Sequence, residues 1–165
     1  MTLLQLPPVF AKVRGGVFYL YGEDAFRKEE VVSALIDAHL DSATRDFNLD
    51  QLRGTETDVE TLASVLATPP MMARWRVVVV REVEGYASGK KARETILEVV
   101  NNPPPGLALI LSCTVPQGSR AKFYRDLSSA AHSVEFRAFT GADLPGWLIH
   151  RAEEAYSVEI EVEAA

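Results

Sequence analysis

The run Gly22-Glu23-Asp24-Ala25-Phe26-Arg27-Lys28 stands between an apolar segment, Val17-Phe18-Tyr19-Leu20-Tyr21, and a stretch of helical spacing. In a parallel α/β sheet, the turn after the first strand is where backbone N–H groups and a helix N-terminus hold phosphates. A cradle of the P-loop kind needs glycines that let the backbone wrap the oxygens, a Lys for charge and a Ser or Thr for magnesium. This run offers one glycine and sets the carboxylates of Glu23 and Asp24 where phosphate oxygens would lie, so like charges oppose a nucleotide. Gly22, Glu23 and Asp24 therefore mark a degenerate nucleotide site. Arg81-Glu82-Val83-Glu84, after the run Val77 to Val80, takes the place of the acidic pair that binds magnesium and activates water in nucleotide-hydrolysing sheets. Without a cradle, Glu82 and Glu84 are expected to be solvated strand-end residues, with a residual salt-bridge role as the alternative.

Other reactive side chains are sparse. Cys113 is the single cysteine, and its place in Leu107-Ala108-Leu109-Ile110-Leu111-Ser112-Cys113 predicts a small core residue rather than a reactive thiol. His39, His132 and His150 lie far apart, and none has a second ligand at metal-site spacing, so no metal is expected. Ser119-Arg120 precedes a helical pattern; Ser119 is expected to be its N-cap, the alternative being a trans-acting arginine finger at Arg120. Lys90-Lys91 is expected on a solvated helix face.

These residues must be positioned by alternating strands and helices. Val17 to Tyr21 predicts a buried strand, and Asp24 a cap for a helix to about Leu40 through Val31, Val32, Leu35 and Ile36. Phe47 to Leu52 alternates apolar with polar, as a strand near a sheet edge does. Thr57-Asp58-Val59-Glu60 has the form of a capping box, opening a helix to about Ala67 that Pro69 and Pro70 end. Val77 to Val80 is a β-branched run that a strand covered on both faces can bury, and it is placed at the sheet centre. A helix over 90–101, a buried strand over 107–113, a helix through Phe123, Tyr124 and Leu127 and a strand at 133–136 follow. Five strands alternating with helices predict an α/β fold, a parallel sheet with helices on both faces. A further helix opens at Asp143-Leu144-Pro145 and runs toward Tyr156, and so little follows it that the chain is expected to be truncated or a fragment.

The 165 residues suffice for one core, and 47% hydrophobic with 24% charged residues is ordinary for a globular domain. No apolar run approaches the roughly 20 residues of a membrane span, and the first residues lack the marks of a secretory signal, so the cytoplasm is expected. A net charge of −6 argues against a domain whose main task is coating a phosphate backbone and favours a protein partner.

The strand-turn Val17 to Asp24, the segment Phe47-Asn48-Leu49-Asp50, the Pro-Met-Met-Ala-Arg segment feeding Val77 to Val80, and Leu144-Pro145-Gly146-Trp147-Leu148 together resemble, in order and spacing, the delta subunit of bacterial DNA polymerase III. The resemblance implies an AAA+-like, P-loop NTPase-like sheet of order 5-1-4-3-2 that lacks a P-loop. It implies a clamp-binding domain over 1–139 and the start of a helical lid domain over 140–165. It further implies a noncatalytic clamp-loader subunit of the polymerase holoenzyme, without a cofactor, that binds and opens the sliding clamp for loading on primed DNA. The expected partners are the clamp, the gamma/tau and delta prime subunits, and primed DNA within the assembly, with no membrane. The clamp-binding element of the family falls on a short helix at Pro69 to Arg74, with Pro70-Met71 at the place of its hydrophobic pair, Met72 able to share that role, and Arg74 near the rim. Met is flexible enough to fill an irregular apolar pocket, and Pro presets the backbone. The alternative for both methionines is packing of the segment onto the sheet. Two other functions remain open: a small nucleotide-dependent α/β enzyme with an atypical phosphate site, and a stand-alone DNA-binding domain, which the acidic balance disfavours.

Overall fold

The computed structural model describes residues 6–138 together with Thr140, Ala142, Pro145, Gly146, Leu148, Ile149 and Arg151. The apolar alternation of its strands builds a five-stranded parallel sheet. The strands are β1 (Gly16–Tyr21), β2 (Leu49–Arg53), β3 (Arg76–Arg81), β4 (Leu107–Cys113) and β5 (His132–Glu135), in the order β2-β3-β4-β1-β5. This is the predicted order 5-1-4-3-2. Its helices are α1 (Pro8–Ala11), α2 (Ala25–His39), α3 (Arg45–Asn48), α4 (Val59–Ala67), α5 (Lys90–Asn101) and α6 (Lys122–Ala130).

Period-two alternation splits the core into two layers. Val17, Tyr19, Val78, Val80, Leu109, Leu111 and Cys113 pack under the helices α4, α5 and α6. Phe18, Leu20, Val77, Val79, Ala108 and Ile110 pack under α1 and α2. All four valines of β3 are buried because both faces are covered. The strand at the centre, however, is β4, in which all seven residues are buried. β3 lies one place nearer the edge than its β-branched run alone suggests, and where the order 5-1-4-3-2 puts it.

Two local boundaries differ from expectation. Phe47 and Asn48 belong to α3 rather than to a strand, because the Asp41 carboxylate accepts the N–H groups of Ala43 and Thr44 and turns the chain into a helical turn. β2 begins at Leu49 and is an edge strand, as its alternation predicted. α4 is capped by Asp58, whose Oδ1 accepts the Thr61 N–H at 2.7 Å, and not by Thr57, whose carbonyl accepts the Tyr86 hydroxyl. Glu60 turns outward to Lys91 Nζ at 2.8 Å instead of closing the box. The helix expected from Asp143 to Tyr156 and the division at 139/140 fall mostly outside the described residues; Pro145, Gly146, Leu148, Ile149 and Arg151 are helical.

The N-terminal edge of the sheet is stitched by His39, at the end of α2. Its Nδ1–H donates to the Leu35 carbonyl at 2.7 Å, and its Nε2 accepts the Gly15 N–H at 2.9 Å. That pattern is the neutral imidazole, and burial holds the His39 pKa below 6.5, with Arg14 opposing the charged form as well. In the unfolded chain the ring takes up a proton near 6.5 that the folded chain refuses. Stability is therefore lost as pH falls from above 6.5 toward the folded pKa, at up to about 1.4 kcal/mol per pH unit for one proton. The expected result is a Tm that drops as pH is lowered from neutral through 6.5 and drops less steeply in His39→Gln. Equal slopes for the two proteins would remove this role.

Candidate functional site

Two regions single themselves out, at opposite ends of the strands. At the C-terminal edge, the turn after β1 is stitched to the chain that leaves β5. Gly22 N–H donates to the Cys113 carbonyl at 3.2 Å, Asp24 N–H to the Phe136 carbonyl at 3.1 Å, and Phe136 N–H to the Tyr21 carbonyl at 2.7 Å. The Asp24 carboxylate caps α2, accepting Arg27 N–H at 2.9 Å through Oδ1 and Arg27 Nε at 2.7 Å through Oδ2. Ala25 N–H donates to the Glu23 carbonyl. The N–H groups of Gly22, Asp24, Ala25, Arg27 and Lys28 are thus already bonded within the protein, and the helix N-terminus already holds a carboxylate.

Behind the turn, Lys28 is buried on α2 and its Nζ donates to the Cys113 carbonyl at 2.9 Å and Thr114 Oγ1 at 3.2 Å. Burial pulls its pKa below the ordinary lysine value, against the field of Glu84 and other carboxylates. Arg81, at the end of β3, makes a two-pronged contact with Glu29, with Nε to Oε1 and Nη2 to Oε2 both near 2.8–2.9 Å. Glu82, with a left-handed backbone at φ 54, accepts from Arg53 and from the Thr55 hydroxyl; Glu84 accepts the Thr114 N–H at 3.1 Å. These acids are tied into local bonds, the residual role that the sequence left as the alternative.

The predicted degenerate site is divided in space. Glu82 lines a cleft of about 580 Å3 together with Lys28, Glu29, Arg81 and Glu84. Gly22 and Glu23 line a different one, beside Tyr19, Tyr21 and Tyr124. Lys28, Glu29 and Arg81 were not singled out as site residues, yet a spacing signal existed. Gly22 and Lys28 stand six apart, as the first glycine and the lysine of G-x-x-x-x-G-K-[ST] do, with Arg27 and Glu29 in the places of the second glycine and the hydroxyl residue. A Glu29–Arg81 ion pair thus occupies the two positions that hold magnesium in a P-loop protein.

Of the remaining residues, Cys113 is buried in the core and its thiol is pushed up to about 12, by burial first and by Glu84 next. Ser119 is not the cap of α6: its Oγ accepts the Ala121 N–H at 3.3 Å in the preceding turn, and the helix starts at Lys122. His132 lies on β5, and His150 is outside the described residues. Among the described residues no three His, Cys, Asp or Glu side chains converge as a metal site, and no helix is long and apolar enough to cross a membrane.

At the N-terminal edge, the segment entering β3 forms a protruding tip. Residues 71–74 form bends, not the expected short helix. The cause lies outside the segment: both backbone groups of Met71 are bonded to the Asn48 side chain, and Met72 has φ 53. Pro70 is half-buried against Gly106, where a Cβ would come within 2.7 Å of the proline Cγ. Trp75 closes the base; its ring fills the space above Gly15 and stacks edge-on against His39 at 5.8 Å. The Arg74 guanidinium lies 5.2 Å from the Trp75 ring centroid. Met71 is 54% exposed and Met72 91%, so neither methionine packs the segment onto the sheet.

The profile of the family described as "DNA polymerase III, delta subunit" matches residues 18–137. The DNA polymerase III subunit delta of Bacillus subtilis (strain 168) is 24% identical over 145 residues, covering 83% of this chain and 42% of the relative. Among solved structures, the DNA clamp loader delta protein of Bacillus subtilis superposes with a TM-score of 0.71 at 21% identity, over 89% of this chain and 45% of that one. A DNA polymerase III gamma subunit-related protein of Thermotoga maritima gives 0.54 at 14% identity, over 88% and 52%. A Thermotoga maritima RuvB mutant gives 0.53 at 16%, over 90% and 47%. The chain spans less than half the length of the two delta relatives, and the structural likenesses establish the fold, an AAA+/P-loop-like α/β sheet.

Proposed function

The chain belongs to the DNA polymerase III delta subunit family, and from that premise we propose that it is a noncatalytic clamp-loader domain that docks on a sliding clamp through Pro70, Met71, Met72 and Arg74. The observation that carries this reading is the exposure of two adjacent methionines, 54% and 91%, on a backbone held from beneath. Water-exposed apolar side chains on a fixed support are what an interface anchor requires, and Met adapts to an irregular pocket. Pro70, set against Gly106, supports the tip, while Arg74 lies at its rim. Docking favours an opened clamp only to the extent that the tip binds the open form more tightly than the closed one.

In this reading the C-terminal edge binds no nucleotide, because its amides, its lysine and its magnesium positions are bonded within the chain. ATP-binding sister subunits of the gamma/tau type then expose or hide the tip, with delta prime completing the assembly and primed DNA met only within it. The domain works in the cytoplasmic replisome as a part of a polymerase holoenzyme that contributes no active site of its own.

A titration of the chain with the cognate clamp is the test, and saturable binding is the expected outcome. ATP with magnesium is expected to leave the Tm unmoved. A ligand at 100 times its Kd stabilises a folded protein by about 2.7 kcal/mol, so a clear upward shift would instead favour the nucleotide-dependent enzyme.

A further inference from the structure

Asn48 is a wholly buried polar residue at the end of α3, 23 residues before the tip with which its side chain bonds. Its Oδ1 accepts the Met71 N–H at 2.7 Å, and its Nδ2 donates to the Met71 carbonyl at 2.8 Å and to the Thr44 carbonyl at 3.0 Å. A side-chain amide has one acceptor and one donor side, and here both grip the same residue, as a paired strand would. The grip is specific to Asn. Asp lacks the donor, and Leu, of similar size, lacks both groups. Asn48 is held in its turn: Thr44 fixes its amide, and Arg76, the first residue of β3, donates from Nη1 to the Phe47 carbonyl at 3.1 Å while its Nη2 pairs with Asp50.

The consequence falls on the next residue. With Met71 pinned at both backbone groups, the chain turns through the left-handed conformation of Met72, φ 53, and Met72 becomes the most exposed of the large hydrophobics at 91%. A non-glycine residue in that region costs free energy that the surroundings must supply. Among the described residues, the two Asn48–Met71 bonds are the polar contacts that reach the Met71 backbone from outside its own segment. A free loop of this composition would lose backbone entropy on docking. Ordering it in advance removes that loss from the binding step.

We propose that Asn48 is the positioning residue of the clamp-docking tip, holding Met71 so that Met72 projects in its docking conformation before the clamp arrives. This rests on the docking reading above. Asn48 does not touch the clamp; it acts through Met71.

The test combines amide exchange with a mutant cycle on the full chain. In Asn48→Ala, exchange of the Met71 amide speeds up at least tenfold, while amides of β4 such as Leu109 keep their protection and certify the fold. Affinity for the clamp falls roughly tenfold, as expected when preorganisation is lost. In a Met71→Ala/Met72→Ala background the same substitution changes clamp affinity less than twofold, because its effect runs through those side chains. Asn48→Asp, whose carboxylate oxygen would face the Met71 and Thr44 carbonyls that Nδ2 now serves, does not restore the affinity. Unchanged Met71 exchange in Asn48→Ala, or an equal loss of affinity with and without the methionines, would overturn the proposal. Failure of the docking reading looks different: the unmodified chain would not bind the clamp at all, and Met71 exchange would still report on the Asn48 grip.

Discussion

Replacing Met71 and Met72 together by Ala is expected to weaken binding to the cognate clamp about 100-fold, roughly 3 kcal/mol, and to leave the Tm where it was. Fully burying a Met side chain is worth about 1.5–3 kcal/mol, and hot-spot energy concentrates in a few side chains at the centre of an interface. Two side chains that pass from water into an apolar pocket therefore account for a loss of that size. The folded domain itself gains little from them, because Met71 is 54% and Met72 91% exposed in the free chain. Surface substitutions of this kind alter stability by no more than about 0.5 kcal/mol. The separation is the informative part: calorimetry or anisotropy titration measures the first quantity and thermal unfolding the second. A double variant that binds normally would remove the anchor, and one that melts early would make the methionines structural.

Gly22→Ala is expected to destabilise the domain by about 3 kcal/mol, a fall in Tm of roughly 6–12 °C for a chain of this size. Two effects add. Gly22 has φ 122, which L-residues rarely adopt, and a Cβ there would lie 2.3 Å from the Phe136 carbonyl oxygen and 2.7 Å from its carbon. The obstacle is backbone, held by the Phe136 N–H to Tyr21 and the Asp24 N–H to Phe136, so it cannot rotate aside. Gly118→Ala is the control, since its φ is 73 but nothing lies within 4 Å of the added carbon; only the backbone cost of about 1–2 kcal/mol applies. Equal losses for the two variants would mean that the contact with Phe136 is not what makes Gly22 necessary. The same glycine that in a P-loop would let the backbone approach a phosphate here lets it approach a carbonyl.

Much of this architecture was legible in the chain because it rests on local patterning. The β-branched run at Val77 to Val80, the Asp24 cap and the 90–101 helix each declare themselves within a dozen residues, and the sheet order came with the family resemblance. The errors arise where distant groups decide. Phe47 and Leu49 alternate as a strand would, but the turn closed by Asp41 and the Arg76 bond to the Phe47 carbonyl bend that stretch into α3. Thr57 and Asp58 are both good caps, but Thr57 is tied through its N–H to Arg53 and through its carbonyl to the Tyr86 hydroxyl, and Asp58 takes the cap. The tip could not be seen as a bend, since what prevents the helix is an amide 23 residues upstream. Lys28 was passed over for a related reason: the eye follows the missing glycines, while the lysine that keeps its place in the spacing has turned inward onto Cys113 and Thr114.

The central claim, that a pair of methionine side chains leaves water for the clamp, has a direct spectroscopic test, because the chain contains three methionines and two of them form the tip. With the methionine methyl groups labelled with carbon-13, addition of the unlabelled clamp is expected to shift or broaden the Met71 and Met72 signals and leave the Met1 signal unchanged. Clamp binding with all three methyl signals unmoved would contradict it.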